Sequence, residues 1–268
     1  MSVPTATLPM QIAASATKGL LIVNADDWGR DTANTDRTLE CVQRGAVSAV
    51  SAMVFMEDTE RAAAIAREQG IDAGLHLNLT SPFTGKNCPA KLQDQQQRLA
   101  RYLRGLKFAP IVYHPGLSSA FKSVVTAQLE EFQRIFGAAP ARIDGHHHMH
   151  LASNVLFQDL LPEGTLVRRN FTFKPGEKSL ANRAYRKFVD SRLARSHRMV
   201  EFFYSLPPMD VPGRLENICF VARNHFVELE THPVNPAEHA FLAGGEIFKM
   251  LGGAQIAPFT SLPAESHA

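Results

Sequence analysis

The sequence predicts an α/β protein built as a single (β/α) barrel-like domain with irregular insertions. Three observations carry this expectation. Short apolar runs alternate with amphipathic helical stretches, the pattern of a mainly parallel sheet with helices outside. The 268 residues suffice for one large core, and 45% hydrophobic and 20% charged residues are ordinary for a globular chain. No internal repeat, low-complexity tract or linker divides residues 19–268, so one barrel-like domain is expected behind a flexible extension, 1–18, rich in Ala, Thr, Ser and Pro.

The elements follow in order. Leu20 to Asn24 (LLIVN) reads as a buried strand, and Thr32 to Arg44 as a helix stopped by Gly45. Ala46 to Phe55 is β-prone. Thr59 to Gln69 is a helix with a good N-cap and a terminating Gly70. Ala73 to Leu79 is a strand. Residues 81–115 carry Pro82, Gly85, Pro89, Pro110 and Pro115 around a polar helix, Gln93 to Leu106, and read as an insertion or lid. Ser118 to Phe136 is a long helix ending at Gly137, followed by a histidine-rich strand. Phe171 to Pro208 is basic and aromatic without clear periodicity. Asn217 to Arg223 and Phe226 to Thr231 read as strands, and Asn235 to Leu251 as a final helix.

Composition removes several function classes. A formal net charge of +2 offers no broad footprint for nucleic acid. The most basic local run, Asn182 to Lys187, reads as a solvated helix face. Cys41, Cys88 and Cys219 are odd in number and scattered, against a disulfide framework or a thiolate zinc site. The first 18 residues lack the marks of a secretory signal, and no apolar stretch reaches the roughly 20 residues of a transmembrane span. A reduced, cytoplasmic, soluble protein is the expectation.

Chemistry concentrates in four segments. Asp144-Gly145-His146-His147-His148-Met149-His150 holds four of the chain's 11 histidines. As a strand it would point His146, His148 and His150 one way and His147 the other. Such a row suits a metal site or a polar cleft; hydrogen-bonded structural histidines are the plain alternative. Asn24-Ala25-Asp26-Asp27-Trp28-Gly29 sets two acids at the exit of an apolar strand, where α/β folds place active sites. An Asx-turn is the ordinary reading of Asp near Gly. In Gly74-Leu75-His76-Leu77-Asn78-Leu79-Thr80, a strand would give His76, Asn78 and Thr80 one face. Asp27, His76 and His146 together supply one carboxylate and two imidazoles, a ligand set for a divalent ion. Finally, Glu230-Thr231-His232-Pro233 delivers His232 at a strand end as a candidate general acid, or as a structural loop histidine. Asp144, His148 and His150 fit a supporting shell or cleft wall. Trp28, beside the two acids, is a candidate sugar-stacking ring.

NADDWG, GLHLNLT, DGHHHMH and ETHP resemble, in order and spacing, the YdjC-type carbohydrate deacetylases, which include chitooligosaccharide (diacetylchitobiose) and hopanoid-biosynthesis deacetylases. The resemblance spans about residues 20–250, with Trp28 where Phe is usual and a poor match over 165–210. It implies a (β/α) barrel, Asp26 as catalytic base, and Asp27, His76 and His146 on one divalent metal, with Mg or Zn expected ahead of Mn, Ni or Co. It further implies an N-acetylated sugar as substrate, acetate as product, and a homodimer. A metal-dependent phosphoesterase and a non-catalytic metal- or sugar-binding protein are the alternatives. A non-haem iron oxygenase shares the ligand set, but on an antiparallel scaffold that this alternation does not suggest.

Overall fold

The computed structural model describes residues 19–174, 176–208 and 213–263; the expected extension lies outside them. The strands are β1 (Leu20–Trp28), β2 (Ala49–Ala52), β3 (Ala73–Leu77), β4 (Arg142–Gly145), β5 (Leu166–Val167), β6 (Phe202–Ser205) and β7 (Phe226–Thr231). The longer helices are α1 (Thr32–Gln43), α2 (Thr59–Gln69), α3 (Ala90–Gly105), α4 (Ser118–Phe136), α6 (Leu180–Leu193), α7 (Arg214–Ala222) and α8 (Pro236–Ala243). Two short ones, α5 (Ser153–Phe157) and α9 (Glu246–Met250), complete the set. All seven strands run parallel in one sheet, ordered β5-β4-β3-β2-β1-β7-β6.

The sheet curls until its edges approach. Leu166 at one edge bridges to Arg198, and the Thr172 amide donates to the Phe203 carbonyl at 2.7 Å. The barrel-like expectation holds. The main apolar core lies between the strands and the surrounding helices, with Leu21, Val23 and Ala25 of β1 pointing into it. The alternate residues face inward. Ile22, Ala49, Leu166, Val200 and Phe259 form a small separate cluster, capped by the Arg142 guanidinium 4.2 Å from the Phe259 ring centroid. Beyond that plug the interior is polar. Gly74 makes room for it, since a Cβ there would come within 2.7 Å of Arg142 Cζ.

Helix α4 and the C-cap glycines Gly70 and Gly137, both left-handed, fall where the periodicity places them. Several boundaries differ for identifiable reasons. β1 runs four residues past Asn24 through a bulge between Ala25 and Trp28. β2 keeps only four residues of the β-prone run. β3 stops at Leu77 because Asn78 turns the chain, its Oδ1 accepting from the Thr80 and Ser81 amides. The expected side-chain N-cap of α2 is absent; Asp58 instead grips Arg61 at 2.7 Å. The segment expected as a strand at 217–223 is helix α7, which buries Leu215, Ile218, Cys219 and Ala222 at helical spacing. Gly244 and Gly245 split the expected final helix into α8 and α9, Gly245 taking φ +77°. The polar insertion contributes α3, which packs on α4 and buries Leu92, Leu99 and Leu103.

Candidate metal centre and active site

Asp27 shows how two adjacent acids reach one site. In a regular strand Asp26 and Asp27 would diverge, but Asp27 adopts φ +64°, so the bulge turns its carboxylate back to the strand ends beside Asp26. Trp28 then points outward. It is fully buried in the main core, its indole N–H donating to the Ala62 carbonyl at 3.1 Å, so the expected sugar-stacking ring is a packing residue.

The three expected ligands converge. Asp27 Oδ1 lies 2.9 Å from His146 Nδ1 and 3.4 Å from His76 Nε2, and donor atoms of the trio all lie within 4.8 Å of one another. Their surroundings fit a cation. Asp144 Oδ1 sits 2.7 Å from His76 Nδ1 and Ser81 Oγ 3.0 Å from His146 Nε2. With protons on those outer nitrogens, both inner nitrogens present lone pairs to Asp27. Asp27 Oδ1 is buried and has no hydrogen-bond donor, despite the close imidazoles. In that protonation state three electron-pair donors face one another, an arrangement that suits a divalent ion. Burial would raise the Asp27 pKa, but the two imidazoles hold it well below the usual carboxylate range. Burial likewise opposes charge on His76, yet Asp26 and Asp144 push its pKa up to about 10, so without an ion the ring carries a second proton, which a bound cation would displace from Nε2.

Asp26 is differently placed. Its Oδ2 accepts from Arg168 Nη1 and its Oδ1 from Arg168 Nη2, both at 2.7 Å, with Asn24 Nδ2 adding a third bond at 2.9 Å. Burial works against its charge, but the Arg168 guanidinium keeps it ionised. Arg168 also pairs with Asp144 at 2.9 Å and Glu228 at 2.7 Å, so one fully buried cation joins three carboxylates. Asp144 binds Ser51 Oγ at 2.5 Å and Arg142 at 3.2 Å as well. Burial pushes Glu228 and Glu230 upward, and Asp26 raises Glu230 further. Glu230 Oε1 is 3.7 Å from His232 Nε2, and donor atoms of Asp26, Glu230 and His232 fall within 4.8 Å of one another. His232, the expected proton donor, is more than one-third exposed at this end of the sheet.

The histidine run is not a strand. β4 ends at Gly145, and His147 and His148 take φ +55° and +57° in a tight turn. The expected alternation of faces fails. His147, expected opposite, stays beside His146 with ring centroids 4.0 Å apart and meets Thr80 Oγ1 at 2.9 Å. His148 lies against Phe171 and Phe203 as a wall of the site. Burial and the Arg168 charge push its pKa down to about 3. His150 turns back into the interior, where Nε2 donates to the Arg168 carbonyl at 2.9 Å. Asn78 sits below the site; its amide N–H donates to Gln128 Oε1 at 2.7 Å, so it braces the turn behind His76.

Sequence reasoning missed Arg168, Arg142, Ser51, Glu228 and Glu230. A usable signal existed for the last two. A strand covered on both faces reads as continuous apolar residues, whereas Val227-Glu228-Leu229-Glu230 alternates strictly. Arg168 follows the two-residue strand β5, too short to show a period.

Residues 20–242 match the family model described as YdjC-like protein. The chitooligosaccharide deacetylase of Proteus mirabilis (strain HI4320) is 25% identical over 224 residues, covering 75% of this chain and 86% of that one. That of Serratia marcescens is 33% identical over 143 residues, covering 51% and 52%. A carbohydrate deacetylase of Mus musculus is 28% identical over 173 residues, covering 62% and 53%. The chain thus spans about half the length of the last two relatives. A crystal structure from Enterococcus faecalis V583, provisionally described as a cellobiose-phosphate cleavage protein, superposes with a TM-score of 0.63 at 17% identity. It covers 91% of this chain and 98% of that one, a likeness of fold. With most of its length matched to the family model, this chain belongs to the YdjC-like family.

Proposed function

We propose that the chain hydrolyses the amide of an N-acetylated sugar, carried on an oligosaccharide or glycolipid, in a metal-dependent reaction that releases acetate. The observation that carries this reading is the donor-free Asp27 Oδ1 facing two imidazole nitrogens, with a separate anionic acid beside it. The names of the bacterial and mouse relatives support the sugar substrate. Asp27, His76 and His146 would hold the ion. Their mixed nitrogen and oxygen donors accept Zn or Mg, with Mn, Ni and Co as further candidates. A divalent ion held there supplies Lewis acidity to water and to the acetyl carbonyl.

The residues then divide the proton work. Asp26 already gives both oxygens to Arg168, so it is kept out of the ligand set, ionised and fixed in orientation. It takes a proton from the attacking water as that oxygen bonds to the acetyl carbon. The C–N bond breaks, and the amine leaves with a proton from His232, which Glu230 supports beside Asp26. Asp144 holds the His76 ring in one tautomer. His148, with Phe171 and Phe203, walls the site on one side.

Acetate release from N-acetylglucosamine oligosaccharides and lipid-linked N-acetyl sugars tests the reading, with chelated and metal-reloaded protein. Asp26→Asn is expected to bind metal normally and lose about 100-fold or more in kcat. Asp27→Ala is expected to lose the metal and the activity together. Near wild-type turnover by Asp26→Asn would remove the base assignment, and tight metal binding without acetate from any sugar would favour a non-catalytic binder.

A further inference from the structure

The segment that leaves α3 exposes apolar residues that the proposed reaction does not use. Leu106, Phe108, Ile111, Val112 and Tyr113 all lie at the surface, the first two 62% and 61% exposed. The segment is held in place. Tyr102 donates its hydroxyl to the Ala109 and Val112 carbonyls, and Asn154 bonds both the amide and the carbonyl of His114. The apolar surface continues onto neighbouring helices. Tyr113 lies 6.5 Å from exposed Phe157, and Phe157 lies 6.4 Å from exposed Phe188, measured between ring centroids. Contiguous exposed rings of this kind mark a surface that something covers.

The charge around it is one-sided. Residues 95–129 contain five basic residues, Arg98, Arg101, Arg104, Lys107 and Lys122, and no Asp or Glu, while the whole chain carries only +2. None of the five enters an ion pair among the described residues. Asp159, two residues after Phe157, is tied to Arg192 at 2.6 Å, and that guanidinium lies over the Phe157 ring. A second copy meeting this face across a two-fold axis would oppose cation to cation. A bilayer rich in anionic headgroups complements both features, taking the aromatic and aliphatic tips at its interface and the arginines and lysine at its phosphates.

We infer that this face docks the protein peripherally on an anionic phospholipid membrane. The cleft beside it is shared: Thr80 and Pro82 line it with Arg101 and Arg104, and Thr80 meets His147 of the metal-site turn. Docking therefore brings the candidate active site to the lipid surface. Membrane binding does not depend on the reaction proposed above, and its test contains no sugar.

Sedimentation with phosphatidylcholine vesicles, with and without phosphatidylglycerol, tests this inference. The full chain is expected to pellet with the anionic vesicles, several-fold less with the neutral ones, and to be released by high salt. Phe108→Ser with Val112→Ser, and separately Arg101→Glu with Lys107→Glu, are expected to weaken vesicle binding by about tenfold or more while leaving the melting curve unchanged. The salt titration of the unaltered chain gives a reading that needs no variant. Absence of binding to anionic vesicles would overturn the inference, as would binding indifferent to both salt and the double variants. A dimer in solution that Phe108→Ser dissociates would assign the face to a second copy instead.

Discussion

Arg168 is the perturbation that tests the interior most directly. Its guanidinium contacts Asp26, Asp144 and Glu228 at 2.7 to 2.9 Å, and all four side chains are 2% exposed or less. Arg168→Met keeps much of the side-chain length and removes the buried cation that reaches all three acids. Breaking one buried ion pair costs about 3–5 kcal/mol. The three losses do not add, because an abandoned carboxylate takes a proton instead of staying charged. We therefore expect about 4 kcal/mol and a melting point lower by roughly 10 °C. The sign of the pH dependence is diagnostic. In the parent chain Asp26 and Asp144 lie below 3.8, so their contribution is present above that pH and fades as pH falls through their depressed values. Without Arg168, burial dominates and their folded pKa values rise above the unfolded ones. That contribution is present at acid pH and lost as pH rises. Urea unfolding at pH 5 and pH 8 should show a deficit that grows with pH. A loss below about 1 kcal/mol, or an equal loss at both values, would refute the account of the interior.

Two further outcomes follow from burial elsewhere. Cys41 and Cys219 lie in the core, and burial pushes their thiols up to about 12 and about 11, with burial raising Cys88 as well. The native protein should therefore resist iodoacetamide at pH 8, and the denatured chain should label three times; rapid labelling of Cys41 in the native state would contradict the packing around α1. His150 is held neutral, with its pKa pushed down to about 4 by burial, against an unfolded value of 6.5. The unfolded chain takes up that proton first, so stability is full above 6.5 and falls between pH 6.5 and 4. His150→Gln should flatten that slope by about 3 kcal/mol, measured by denaturant titration across the window, and an unchanged slope would clear His150 of the role.

The parts of the fold visible in the sequence were those governed by local periodicity and local caps. α4 is legible from its apolar spacing and the left-handed Gly137, and β1 from an unbroken apolar run. The convergence of Asp27, His76 and His146, the candidate ligands, was legible because each sits in a short motif at a strand end. What stayed hidden depends on the tertiary arrangement. Asp27 reaches the site through a positive φ that no residue type announces. The histidine run carries no glycine or proline after Gly145 to reveal the turn at His147 and His148. Trp28 beside two acids invited a role in the cleft, yet the bulge that turns Asp27 in also sends Trp28 out. Arg168 is one basic residue in an aromatic stretch, and only the curl of the sheet places its guanidinium among three acids.

The central position of β1 also sets the order in which the protein can be completed. One neighbour of β1, β2, is made within a few dozen residues, but the other, β7, lies near the far end of the described chain; the bond from Thr231 to the Asn24 carbonyl spans 207 positions. A ribosome-bound chain must therefore hold β1 with one edge bare and Asp26 without Glu230 until β7 has been made. Closing so distant a contact is slow, and an exposed strand edge in the meantime invites wrong pairing. Premature termination before Phe226 would leave β1 at an open edge of the β1–β5 sheet and Asp26 without Glu230, although Asp27, His76 and His146 would all have been made.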